Sequence, residues 1–121
     1  MADRPVILVV DDDAPILLLM RNLLREFGFD PVTAASGEQA LEAARQRPPA
    51  LVLLDRNMPG MSGDEVIHSM RSDRALSAVP VLMLTGEPMA ADEIRRLGAT
   101  GAVIKPFDVS ALVETIRAHV R

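Results

Sequence analysis

The sequence predicts an α/β domain built on a parallel sheet, and two observations carry that expectation. Five short apolar runs, at residues 6–10, 31–34, 50–54, 79–84 and 102–104, are separated by longer segments with helical periodicity. Strands alternating with helices at this spacing read as βαβ units, whose right-handed crossovers place helices on both faces of the sheet. The first, third and fourth runs are nearly continuous Val, Ile, Leu and Met, the composition of strands buried on both sides. The second run carries Pro31 and Thr33. Proline offers no ladder donor, so this strand is expected at an edge. At 121 residues, the chain 1–121 is read as one domain, long enough for a core without covalent staples.

The helices follow in order. Asp13 is placed to cap the first, with Pro15 in the opening turn and Gly28 closing it. Ile16, Leu19, Met20, Leu23, Leu24 and Phe27 form a helical stripe expected to face the core, with Leu17 and Leu18 off it. Ser36 and Gln39 have the spacing of a capping box for the second helix, which ends near Gln46, before Pro48 and Pro49. The third is expected from Gly63 to Ser72. The fourth runs from Pro88 to Leu97 with Gly98 behind it, and the fifth from its cap Asp108 to Val120.

Composition removes several classes of function. There is no cysteine, hence no thiol nucleophile and no Cys-ligated metal. Three Phe without Trp or Tyr leave little for stacking bases. A net charge of −4 without a basic cluster argues against direct contact with nucleic acid. No apolar run approaches the roughly 18 residues of a membrane span. Residues 1–5 lead into an apolar run that meets Asp11, Asp12 and Asp13 rather than a small-residue cleavage site. No signal peptide is read, and a cytoplasmic domain without a membrane partner is expected.

In open parallel α/β sheets, ligands bind outside the carboxyl ends of the strands. Here those ends deliver Asp11, Asp12 and Asp13 after the first strand, Asp55 after the third, Thr85 after the fourth, and Lys105 with Pro106 after the fifth. Carboxylates gathered on one rim repel one another, and a hard divalent cation resolves the repulsion. Two or three carboxylates with backbone and water oxygens suit Mg²⁺ better than a Ca²⁺ cage. Lys105 offers a compact positive charge to a phosphoryl group, and Thr85 a hydroxyl donor. Asp13 is read as a helix cap rather than a ligand. His68 and His119 fall in helices away from the rim and are read as surface residues, and Arg95 and Arg96 as a solvated face.

Val9-Val10-Asp11-Asp12, Leu54-Asp55-Arg56-Asn57-Met58-Pro59-Gly60 with Gly63, Leu84-Thr85 and Lys105-Pro106-Phe107 stand in that order. Together they resemble the receiver domain of bacterial two-component response regulators, over essentially the whole chain. The resemblance implies a flavodoxin-like (βα)5 fold with the parallel strands in order 2-1-3-4-5. It implies that Asp55 accepts a phosphoryl group, in a Mg²⁺-dependent reaction, from phosphohistidine on a sensor histidine kinase or histidine phosphotransfer protein. Asp12, Asp55 and the backbone carbonyl of Asn57 would ligate Mg²⁺, and Asp11 would act mainly through a water ligand. Lys105 would pair with the phosphoryl oxygens, Thr85 would swing in to hydrogen-bond them, and the Lys105–Pro106 peptide would be cis. Asn57 and Glu87 stand where the family tunes the phosphoryl lifetime. Such a domain is not a conventional enzyme: it assists its own phosphorylation and dephosphorylation and signals to a downstream effector that the sequence does not identify.

One departure stands out. The family usually carries Tyr or Phe three residues before the lysine; here that residue is Ala102. Switching through that aromatic is not expected, and a phosphate sink or scaffold receiver is the alternative. The resemblance also makes the first helix a docking surface for the phosphodonor, extended by Leu17 and Leu18. A haloacid-dehalogenase-like phosphatase fits Asp11-x-Asp13 superficially, but Pro15 stands where it wants Thr or Val, and the chain lacks room for a cap. A flavin-binding module would want hydroxyls and glycines after the first strand, where three aspartates stand.

Overall fold

The computed structural model describes residues 4–120; Met1, Ala2 and Asp3, part of the segment read for a leader, lie outside the described residues. The strands are β1 (Val6–Val10), β2 (Asp30–Ala34), β3 (Leu51–Asp55), β4 (Val81–Thr85) and β5 (Gly101–Ile104). They alternate with α1 (Ala14–Glu26), α2 (Gly37–Gln46), α3 (Gly63–Arg71), α4 (Ala91–Leu97) and α5 (Val109–His119). All strand pairs are parallel, in the order β2-β1-β3-β4-β5. The proline-bearing β2 lies at one edge, as expected.

Successive side chains of a strand point to opposite faces, and the two cores follow that rule residue by residue. Leu8, Val10, Val52, Leu54, Val81 and Met83 meet α2 and α3 on one face through Ala40, Leu41, Val66, Ile67 and Met70. Ile7, Val9, Leu51, Leu53, Leu82 and Leu84 meet α1 and α5 on the other through Met20, Leu24, Leu112, Val113 and Ile116. Burying such side chains on both faces at ~1.5–3 kcal/mol each is the main source of stability.

The stripe of α1 differs from expectation. Leu17, Met20 and Leu24 are the buried residues, while Leu19 is 57% exposed and Leu18 is 52% exposed. Ile16, Leu23 and Phe27 lie half-buried at the flanks. Positions 16–20 are all apolar, so several phases of a 3.6-residue stripe fit the sequence equally. Contact with the sheet selects the one through Leu17.

Helix ends are settled by local polar groups. Asp13 caps α1 as expected, its Oδ1 accepting from Ile16 N–H. Ser36 Oγ accepts from Gln39 N–H, but Gln39 Oε1 accepts from Ala35 N–H, one residue earlier than a capping box would place it. The full reciprocal box belongs to α3, between Ser62 and Glu65. Helix α4 begins at Ala91 rather than Pro88. The N–H and carbonyl of Glu87 are both engaged by Thr85 Oγ1, which holds the chain in a turn there.

Gly98 ends α4 at φ +83°, with its N–H donating to Arg95 O and the N–H of Ala99 donating to Ile94 O. Arg71, from α3, completes this end: its Nε donates to Gly98 O at 2.9 Å, and its Nη1 donates to Leu76 O and Ser77 O at 3.2 and 3.1 Å. No carboxylate neutralises this guanidinium among the described residues, and burial lowers its pKa. Arg71→Ala strands partly buried carbonyls and is expected to destabilise the fold by about 1–3 kcal/mol. Urea unfolding checks this; a midpoint equal to the parent's would show that water replaces the guanidinium without loss.

Candidate functional site

Four strand ends build one rim. Asp55 and Thr85 are the last residues of β3 and β4, Asp11 follows β1, and Lys105 follows β5. Asp55 lies in register with Leu84, and Thr85 with Ile104, so neighbouring ladders bring these side chains to the same end of the sheet. Lys105–Pro106 is a cis peptide, as expected.

The carboxylates converge. Asp11, Asp12 and Asp55 each offer an oxygen, and these oxygens lie within 4.8 Å of one another. Asp11 and Asp55 are buried, at 2% and 7% exposure, whereas Asp12 faces solvent. Lys105 Nζ stands 3.4 Å from Asp55 Oδ1 and 3.6 Å from Asp11 Oδ2. Asp55 Oδ1 also accepts from Asn57 N–H at 3.3 Å, which folds the Arg56–Asn57 turn over the strand end. Asp11 Oδ1 accepts from Asp13 N–H at 3.0 Å. Asp13 is thus tied to the helix start rather than joining the cluster.

The electrostatics are unresolved by protein groups alone. Burial pushes the Asp11 carboxyl up and the Asp13 N–H pulls it down; Asp55 and Asp12 add repulsion, Lys105 opposes them, and the net direction is upward. Asp11 Oδ2 is buried with no hydrogen-bond partner. An orphaned buried carboxylate oxygen beside two further carboxylates is a donor set that fits a hard cation with oxygen ligands.

The strand alternation divides the rim. Asp11, Asp55 and Lys105 continue the α1/α5 side, where an apolar cleft of about 440 Å³ opens between Leu19, Leu23, Pro106 and Phe107. Thr85 continues the α3/α4 side and lines a polar cleft of about 530 Å³ with Arg56, Asn57, Glu87 and Glu93. Its hydroxyl does not reach into the carboxylate cluster: it donates to Glu87 O at 3.1 Å and accepts from Glu87 N–H at 3.2 Å. Ala102 packs half-buried on the α2/α3 side. His68 and His119 are exposed, as expected, and His119 Nδ1 contacts Thr115 O within α5.

Two contributors escaped the sequence reading. Arg56 grips Asp64 with two nitrogens, at 3.1 and 3.3 Å, and Glu93 with one, at 2.9 Å. Gly63 packs so closely against the end of β3 that a Cβ there would lie 2.7 Å from Asp55 O and 2.9 Å from Arg56 Cα. The motif around Asp55 includes Gly63 but does not show what the glycine must clear, and the partners of Arg56 lie too far along the chain for any local pattern to reveal them.

Comparison with known proteins points one way. The profile of the response regulator receiver domain matches residues 7–117. The DNA-binding response regulator MtrA of Mycobacterium tuberculosis (strain ATCC 25618 / H37Rv) is 42% identical over 120 residues, covering 98% of this chain and 51% of that protein. MtrA of Mycobacterium leprae is likewise 42% identical, with 98% of this chain and 52% of that protein covered. The chain thus spans about half the length of the curated relatives it matches. Among solved structures, the chemotaxis protein CheY4 of Vibrio cholerae superposes with a TM-score of 0.91 at 32% identity, over 97% of this chain and 99% of that one. The N-terminal domain of a response regulator receiver protein from Methanoculleus marisnigri JR1 gives 0.79 at 38% identity, over 94% of each chain. The phosphatase and flavin-module alternatives receive no support from these likenesses.

Proposed function

The chain belongs to the response regulator receiver domain family, and from that premise we propose that Asp55 is its phosphoacceptor. The phosphodonor is a sensor histidine kinase or a histidine phosphotransfer protein. The observation that carries this reading is the packing of three carboxylates within 4.8 Å of one another beside a single ammonium.

Each group has a role that follows from its position. Both contacts to the Asp55 carboxylate, from Asn57 N–H and Lys105 Nζ, fall on Oδ1, which leaves Oδ2 to attack. The attack forms an O–P bond and breaks the P–N bond of phosphohistidine, whose electron pair leaves with the imidazole. The product is an acyl phosphate on Asp55. Lys105 pairs with the phosphoryl oxygens once they arrive. Asp12, Asp55 and the carbonyl of Asn57 would hold Mg²⁺, with Asp11 assisting through water. Mg²⁺ bound there supplies the charge neutralisation that lets an anionic carboxylate approach an anionic phosphoryl group. Thr85 leaves Glu87 to hydrogen-bond the phosphoryl group. Water attacking phosphorus later forms a new O–P bond and breaks the one to Asp55, releasing inorganic phosphate and regenerating the carboxylate.

Leu18 and Leu19, both exposed on α1, form the apolar part of the donor-docking surface. Leu17 is buried and drops out of that role. The domain works in the cytoplasm, contacts no nucleic acid or membrane directly, and hands its signal to an effector. Residues 1–121 act as one unit.

Intact-protein mass after incubation with acetyl phosphate tests the reading, with and without Mg²⁺. A gain of one phosphoryl group is expected, dependent on Mg²⁺ and absent from Asp55→Asn. A gain that survives Asp55→Asn would mean another residue is the nucleophile.

A further inference from the structure

Helix α4 is poorly anchored by packing. It is the one helix among the described residues that buries none of its side chains, and its N-cap, Ala90, makes no side-chain capping bond. Its flanking residues Met89 and Ala99 pack half-exposed against the core, and among the described residues two side-chain hydrogen bonds tie the helix and its C-cap to the body. At its C-terminal end Arg71 Nε donates to Gly98 O. In its first turn Glu93 Oε2 accepts from Arg56 Nη2 at 2.9 Å. The remaining ion pair of the helix, between Asp92 and Arg95, is internal to it.

Arg56 is itself rigidly placed. Its N–H donates to Leu84 O and its carbonyl accepts from Gly63 N–H, each at 3.0 Å. The other edge of its guanidinium is held by both oxygens of Asp64 on α3. The side chain is 24% exposed, and Asp64 and Glu93 are each 36% exposed. These hydrogen bonds raise the guanidinium pKa. A planar fork that serves two carboxylates in fixed directions is a property of arginine that lysine does not share. Arg56 therefore has one stationary partner, Asp64, and one partner on an otherwise loosely held helix.

The same residue borders the phosphoacceptor. It follows Asp55 directly in the chain, and with Glu93 it walls the polar cleft that Thr85 and Glu87 line. For the Thr85 hydroxyl to reach a group on Asp55, its two bonds to the Glu87 backbone must break. Glu87 lies four residues before Ala91, so a shift of that turn pulls on the first turn of α4, where Glu93 is fastened.

We infer that Arg56 is a positioning residue: through Glu93 it holds α4 and the 85–88 turn in their present place and opposes the movement of Thr85 toward Asp55. Asp64 keeps the guanidinium oriented while the Glu93 contact makes and breaks. The consequence for rate rests on the phosphoacceptor reading above; the consequence for α4 does not.

The experiment uses the whole chain and two readouts, amide hydrogen exchange and the rate of phosphoryl gain from acetyl phosphate with Mg²⁺. Glu93→Ala is expected to speed exchange across residues 91–97 by about two- to fivefold, the range for a partly exposed pair. It is expected to raise the maximal phosphorylation rate by a similar factor while the half-saturating donor concentration and the Mg²⁺ affinity stay at the parent's values. Arg56→Met should give the same gain in exchange, and the double variant no more than either alone, because one contact is removed in all three. Arg56→Lys keeps the charge without the fork and should fall between. Asp92→Ala removes a first-turn acid that does not touch Arg56 and serves as the control for helix electrostatics.

Equal exchange in parent and Glu93→Ala overturns the inference, as does an Asp92→Ala effect as large as that of Glu93→Ala, or additive effects of Arg56→Met and Glu93→Ala. If the parent gains no phosphoryl group, the phosphoacceptor reading fails, and the exchange comparison still decides whether Arg56 fastens α4.

Discussion

Asp11→Asn is expected to unfold at higher urea concentration than the parent at neutral pH, and to lose most of the parent's response to Mg²⁺. The Asp11 carboxyl is buried, one of its oxygens has no hydrogen-bond partner among the described residues and only Lys105 Nζ at 3.6 Å, and its pKa lies above the ordinary 3.8, chiefly through burial. A carboxyl whose pKa is higher in the folded than in the unfolded chain binds its proton more readily when folded. Stability therefore falls as pH rises from 3.8 through the raised value, and the full deficit is present at neutral pH. Asparagine keeps an oxygen for the Asp13 N–H and leaves its amide nitrogen in the unpartnered position, so the gain comes from lifting the buried charge and its repulsion by Asp55 and Asp12, about 1.4 kcal/mol for each unit by which the carboxyl pKa is raised.

The gain should shrink on acidification and vanish below the ordinary carboxylate value, where Asp11 is neutral in both states. Mg²⁺ acts unequally on the two proteins. A ligand at a hundred times its Kd stabilises by about 2.7 kcal/mol, so the parent should gain that much and the variant little. Urea titrations at neutral and acid pH, with and without MgCl2, measure all four quantities. A variant less stable than the parent at neutral pH would mean that attraction between Asp11 and Lys105 outweighs burial.

How far the sequence reading reached depends on the range of the interaction that decides each feature. Strands β1, β3 and β4 were legible because runs of Val, Ile, Leu and Met buried on both faces leave no other role for those residues. Asp11, Asp12, Asp55 and Lys105 were legible as a set because a parallel sheet sends every strand end to one rim. Leu17 and Leu19 were exchanged because a five-residue apolar run satisfies several helical phases, and only the sheet beneath α1 chooses among them. Thr85 was placed at the rim correctly, but its hydroxyl bonds Glu87, a two-residue turn that Ser and Thr favour and that also moves the start of α4. Arg56 sits within the motif around Asp55, and nothing local in the sequence gives it a task. Its partners are 8 and 37 residues away, and no periodicity connects them. The capping box of Ser62 and Glu65 was local and readable from its spacing alone, whereas the three carbonyls of Arg71 were not.

Gly63→Ala should be far more damaging than Gly37→Ala, although the two glycines look equivalent in sequence. Each is the first residue of a helix, each follows a serine cap, and each is buried. At the first helical position the entropic gain from alanine is small for both, so the neighbours of the added methyl decide. At Gly37 that methyl would lie 2.8 Å from Cγ and Sδ of Met61 and from Cγ2 of Val66. Met61 is partly exposed and its thioether rotates away, whereas Val66 is buried and stiff at χ1 and gives only by a small shift of the first turns of α2 and α3, so the cost is about 1–2 kcal/mol.

At Gly63 the methyl would meet Asp55 O at 2.7 Å and Arg56 Cα at 2.9 Å. Both are backbone atoms at the end of a central strand that is hydrogen-bonded on each side. They move only if the end of β3 moves, which costs about 3 kcal/mol and also breaks the bond from Gly63 N–H to Arg56 O. The displaced atoms carry the Asp55 carboxylate and precede the carbonyl of Asn57, so the damage extends beyond stability. Gly63→Ala is expected to weaken Mg²⁺ binding by about tenfold, because a displacement of tenths of an ångström matters to a cation that demands near-octahedral geometry. Gly37→Ala should bind Mg²⁺ as the parent does. Unfolding and Mg²⁺ titrations on the pair separate the two effects. Equal losses in both variants would show that the end of β3 yields as readily as the Met61 and Val66 side chains.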